Sequence, residues 1–81
     1  MTNNKITDAH SLIDILKEAI KKEHDSYDYY HKAASIAVKP ASKKMFLRLA
    51  EMEQGHASEL TRHLSDLEAQ IHIDKALTAS F

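Results

Sequence analysis

The chain has no cysteine and no tryptophan, and only one glycine and one proline among its 81 residues. Without cysteine there are no disulfides, zinc fingers, iron–sulfur clusters or C-x-x-C redox sites. One Gly and one Pro supply too little turn chemistry for a β-rich fold. There is no charge excess of either sign: 11 Lys+Arg stand against 12 Asp+Glu, a formal net charge of −1. That balance leaves no electrostatic footprint for nucleic acid or for an anionic membrane. No apolar run approaches the roughly 20 residues of a transmembrane helix, and the start Met1-Thr2-Asn3-Asn4 is polar. A soluble, cytoplasmic chain is the expectation. At this length one domain fits, burying roughly 60–65% of its unfolded surface, which is too little for a deep cleft of its own.

What remains is rich in Ala, Leu, Lys, Glu and Met, all good helix formers. Residues 1–10 are expected to be a flexible N-terminal segment. Ser11-Leu12-Ile13-Asp14 resembles a capping box for a first helix, with Asp8 as an alternative cap. The helical pattern runs to about Val38, where Lys39-Pro40 interrupts it, and a second pattern continues to about Leu67. Residues 11–68 thus read as an antiparallel helical hairpin, and 69–81 as either a short third helix or a tail. A two-helix hairpin cannot cover its own apolar stripe. The expected all-α fold is therefore a hairpin that dimerises into a four-helix bundle with two-fold symmetry.

The stripes themselves are interrupted. In the first helix Leu12, Leu16, Ala19, Ile20, Tyr27, Tyr30, Ala34 and Ala37 fall at three-and-four spacing, with Glu23 among them. In the second helix Phe46, Leu49, Leu60, Leu64 and Leu67 bracket Glu53 and His56. Three ionisable groups thus lie mid-helix on faces that should be interior, and no Lys or Arg shares either stripe. A bare interior carboxylate is unfavourable without a counter-charge, and a metal ion is the natural one. Glu53 and His56, at i and i+3, project from one helix face, and Glu23 comes from the other helix. Carboxylate plus imidazole suits Fe(II) or Mn(II), with Zn(II) as a competitor.

These residues carry a family resemblance. Glu23-x6-Tyr30-x2-Ala33 and Phe46-x3-Ala50-x2-Glu53-x2-His56 resemble the rubrerythrin-like branch of the ferritin-like superfamily, over roughly residues 12 to 67. The half-length form looks like an encapsulated ferritin, a single hairpin whose dimer completes a di-iron ferroxidase centre. Such a bundle takes one Glu from each of two helices and a Glu-x-x-His from each of the other two, so two copies of this chain supply the full set. The resemblance implies metal ligands Glu23, Glu53 and His56, with Tyr30 nearby as a catalytic residue. It further implies Fe(II) oxidation by dioxygen for iron storage or detoxification, dimers that associate into an open ring of ten subunits, and an encapsulin shell as host. Two features depart from the family. Lys22 precedes Glu23, leaving only Asp25 and Glu18 for an outer metal site, and Leu77-Thr78-Ala79-Ser80-Phe81 matches the family's targeting peptide poorly. Two other functions fit the same residues: a rubrerythrin-like peroxidase, and a helical dimerisation module with a structural metal.

Tyr30 is seven residues from Glu23, so 700° of turn returns it to nearly the same face. Tyr27 is expected to pack and Tyr29 to lie on the surface or at a subunit contact. His63, seven after His56, is an accessory-ligand candidate. His10, His24, His31 and His72 are read as solvated, as is the basic face of Lys21, Lys22, Lys43, Lys44 and Arg48.

Overall fold

In the computed structural model, which describes residues 9–79, the chain forms two helices, α1 (Ala9–Ile36) and α2 (Pro40–Ala79). The described residues are 96% helical and contain no strand. The break between the helices follows from proline. The residue before a proline is pushed out of the helical region, and Pro40 itself fits the first turn of α2, where its missing N–H is no loss. The Ala37 N–H donates to the Ala33 carbonyl at 3.0 Å, continuing the α1 ladder one residue past its end. The Lys43 N–H donates to the Lys39 carbonyl at 3.0 Å, so Lys39 takes the cap position of α2. No described residue has a positive φ, which is why this turn needs no glycine.

Two boundaries differ from the sequence expectation. Helix α1 already begins at Ala9, so Ser11 lies inside its first turn rather than capping it; Asp8 lies outside the described residues. Helix α2 does not stop near Leu67 but continues for 40 residues to Ala79, so residues 69–79 are neither a separate helix nor a tail. No Gly or Pro intervenes there to break it, and the Gln70 amide donates to the Asp74 carboxylate at 3.0 Å across one turn. The hydroxyls of Thr61 and Thr78 are absorbed by the carbonyls of Ala57 and Asp74 one turn back.

The helices meet through small side chains. Ala34, Ala50 and Ala57 are 1–4% exposed and form the buried hydrophobic core of the described residues. Because those contacts are made by methyl groups, the larger apolar residues of both stripes stand beside the seam. Leu12, Ala19, Tyr30 and Ala33 of α1, and Phe46, Leu49, Leu60, Leu64 and Leu67 of α2, are all only half-buried. At 100° per residue they fall on one broad face of the hairpin. The molecule measures 64 × 30 × 12 Å, one helix thick, with a radius of gyration of 18.1 Å. A compact domain of this size would have about 11 Å. The hairpin is a single layer with one apolar face uncovered.

Candidate metal centre

The uncovered face carries the three ionisable groups that break the stripes. Glu23 sits at the middle of α1, thirteen residues before its end, and Glu53 the same distance into α2, so the antiparallel pairing sets them side by side. His56 follows Glu53 by one turn. Its Nδ1 lies 3.1 Å from Glu53 Oε1 and 3.8 Å from Glu23 Oε1. One ligand atom from each of the three residues lies within 4.8 Å of the others. Among the described residues this is the one group of three His, Asp or Glu side chains so placed.

The side chains are neither fully buried nor free: Glu23 and Glu53 are 25% and 22% exposed, and His56 53%. The sequence reading placed them in a bundle interior. In a single hairpin they lie instead on its uncovered face, because no second layer is present to close over them. Their proximity polarises the two carboxyls in opposite directions. The Glu23 carboxyl titrates above its ordinary 4.5, first because it shares a hydrogen bond with Glu53, then through partial desolvation and the negative charge of Glu53. The Glu53 carboxyl titrates below 4.5, held by that same hydrogen bond from Glu23 and by the one to His56. Opposite shifts on two neighbouring carboxyls are the signature of like charges held close.

A divalent cation fits this donor set. Two carboxylates and an imidazole nitrogen converge on one side, and a cation would offset the repulsion between the two acids. Glu23, Glu53 and His56 are the residues that would hold it.

The other candidates fall elsewhere. The Tyr30 ring stacks on Phe46 across the seam, with centroids 6.5 Å apart and planes 19° apart, and meets Tyr29 edge-on at 5.5 Å. Among the described residues no hydrogen bond joins its hydroxyl to the cluster. Tyr27 packs on His31, ring centroids 4.7 Å apart. Both belong to the opposite face, where a groove of about 460 Å³ is lined by Tyr27, His31, Lys44, Leu47 and Arg48 among others. That groove left no trace in the stripe pattern, since its residues are polar and apolar by turns. Asp25 is paired with Lys21 at 3.4 Å, and Glu18 lies exposed with Lys22 in a shallow depression, so neither joins the cluster. His24, His63 and His72 are exposed; the His10 side chain lies outside the described residues. Ala57, which sequence reading passed over, is one of the three buried alanines and, with Ala50, flanks Glu53 where the helices meet at the cluster.

Among the described residues no helix is long and apolar enough to cross a membrane. Neither curated proteins nor solved structures returned a match to the chain. The family model for rubrerythrin does match, over residues 14–79, which includes both helices and all three clustered residues. The chain belongs to the rubrerythrin family of the ferritin-like superfamily, whose members are typically di-iron oxidoreductases.

Proposed function

We propose that this protein is a ferroxidase that oxidises Fe(II) to Fe(III) with dioxygen at a centre shared by two copies of the chain. The observation that carries the reading is the half-set of ligands on an uncovered apolar face. Glu23, Glu53 and His56 converge at the middle of the one surface the hairpin leaves open. Burying that face against a second copy covers the exposed apolar stripe and brings together four carboxylates and two imidazoles.

In this reading iron is the substrate, each Fe(II) giving one electron to dioxygen. The chain's own residues supply the rest. Glu53, which shares a helix face with His56, would be the carboxylate shared between paired metals, Glu23 would be the terminal carboxylate, and His56 would offer Nδ1, the ring nitrogen turned toward both acids. The apolar residues around them exclude bulk water once the face is closed. Manganese or zinc are competitors for the same donors. Two hairpins enclose no mineral-sized cavity, so the ferric product leaves the bundle. Assembly of dimers into a ring of ten and delivery of product inside an encapsulin shell complete the proposal.

The test is anaerobic Fe(II) loading followed by an oxygen pulse, with ferric absorbance and subunit mass recorded. Oxidation at about one iron per chain in a dimer or larger assembly supports the reading. A much faster reaction with hydrogen peroxide would make the protein a peroxidase, and binding without turnover would make the metal structural.

A further inference from the structure

The near-neutral total charge conceals a segregated one. From Tyr29 to Ala50 the chain carries five cations, Lys32, Lys39, Lys43, Lys44 and Arg48, and no carboxylate. The sequence alone reads Lys43, Lys44 and Arg48 as part of a solvated face, but the fold sets them along a hollow. The groove of about 460 Å³ is lined by Tyr27 and His31 of α1 and by Lys44, Leu47, Arg48 and Glu51 of α2, among others. A smaller hollow of about 190 Å³ shares His31 and Leu47 with it and adds Lys43. The geometry points to this trough as a binding site for a phosphate-type oxyanion, separate from the metal centre.

Periodicity fixes where the trough lies. At 100° per residue, Lys44, Leu47 and Glu51 fall roughly 120–180° around α2 from Glu53, and His31 about 80° around α1 from Glu23. The trough is therefore on the reverse side of the hairpin from the three clustered residues. Closing the open face against a second copy leaves it accessible, and the inference stands whether or not the protein oxidises iron.

The cations along it have no partner of their own. The ion pairs of the described residues are Lys21 with Asp25 and His56 with Glu23 and Glu53, so none joins Lys43, Lys44 or Arg48 to a carboxylate. Lys44 and Arg48 stand one turn apart on one helix, a like-charge spacing that is unfavourable by itself. Glu51, one turn beyond Arg48, lines the groove without pairing with it. Two cations against one acid leave the groove positive, and Lys43 beside it adds to the field. An oxyanion between Lys44 and Arg48 relieves their repulsion. The guanidinium can present two parallel N–H donors to it, and the ammonium acts as a compact point charge. The Tyr27 hydroxyl and the His31 ring supply donors from the other helix.

The groove is of the size that takes a small molecule. Leu47, 42% exposed, and the Tyr27–His31 ring pair, 4.7 Å between centroids, give it an apolar wall. The shared chemistry is a phosphate group, either free or carried as an ester on a small apolar group that rests on that wall.

Titration of the metal-free protein with inorganic phosphate at constant ionic strength, followed by amide NMR, tests the site. The signals of Lys44, Leu47 and Arg48 should move saturably while those of Leu60 and Leu64 stay in place. The Lys44→Gln/Arg48→Gln double variant should bind at least about tenfold more weakly, with helical circular dichroism unchanged. Glu51→Gln, which removes the one carboxylate lining the groove, should bind about threefold more tightly. Phenyl phosphate is the second probe: an affinity about fivefold above that of inorganic phosphate assigns the site to a phosphate ester, and an equal affinity assigns it to free phosphate. Chloride that reproduces the same shifts, a double variant that binds as wild type does, or weaker binding by Glu51→Gln would each overturn the site.

Discussion

Glu53 Oε1 and His56 Nδ1 lie 3.1 Å apart, one helical turn from each other, and Glu23 reaches the same nitrogen at 3.8 Å from the other helix. An i, i+3 pair meets on any helix. The third group depends on the depth of the hairpin turn, because Glu23 and Glu53 each lie thirteen residues from it.

Removing either half of that pair should abolish metal binding and oxidation while leaving the fold. For Glu53→Gln and His56→Ala, Fe(II) uptake should fall from about one per chain to near zero, with helical circular dichroism unchanged. Oxidation rates equal to wild type in both variants would exclude the cluster as the oxidation site.

The like-charge pair predicts a pH-dependent cost in the metal-free protein. Glu23 binds its proton more tightly in the fold than in the unfolded chain, so its contribution favours the fold at low pH and is lost as pH rises through its elevated value. Glu53 has the opposite sense: its contribution is present above 4.5 and is lost as pH falls. Glu23→Gln mimics the protonated acid. Its melting temperature should exceed that of wild type at about pH 7.5, and the difference should shrink as pH is lowered and wild-type Glu23 takes up its proton. Melting curves of metal-free protein across this range provide the check, and a difference that grows toward acid would contradict the assignment.

Helix spacing at the cluster rests on Ala50 and Ala57, three residues before and four after Glu53. Ala57→Leu must push α1 and α2 apart, costing about 1–3 kcal/mol. It should also weaken metal binding, even though no ligand is altered. Paired thermal melts and metal titrations test this; lost stability with unchanged affinity would show the cluster to be insensitive to helix spacing.

Tyr30 and Phe46 stack across the seam, and the Tyr30 hydroxyl makes no hydrogen bond to the cluster among the described residues. Tyr30→Phe keeps that contact and should change the iron-oxidation rate by less than about tenfold, or 1.4 kcal/mol. Phe46→Ala removes the contact from a half-buried site and should cost about 2 kcal/mol of stability. A much larger rate loss in Tyr30→Phe would make the hydroxyl a participant in the chemistry.

Gly55 lies inside α2 beside the cluster, and a Cβ placed there meets nothing within 4 Å. Gly55→Ala should raise stability by about 0.5–1 kcal/mol through helix propensity alone, with metal uptake unchanged. A loss of metal uptake in this variant would show that the open space beside His56 is used.

Composition, the single Lys39-Pro40 interruption and the three-and-four spacing of apolar residues were enough to specify a two-helix hairpin. They were also enough to single out Glu23, Glu53 and His56, because periodicity and proline sterics act locally and exposed polar breaks in a stripe are visible in one dimension. The extent of α2 was less legible: with no breaker after Leu67, nothing local distinguishes a helix that stops from one that runs on to Ala79. What only the tertiary structure decided is which side of each stripe meets the other helix. Ala34, Ala50 and Ala57 take the seam because small side chains let two helices approach closely. That choice turns the leucines, Phe46 and the three ionisable groups onto one open face, a consequence of packing that neither helix specifies alone.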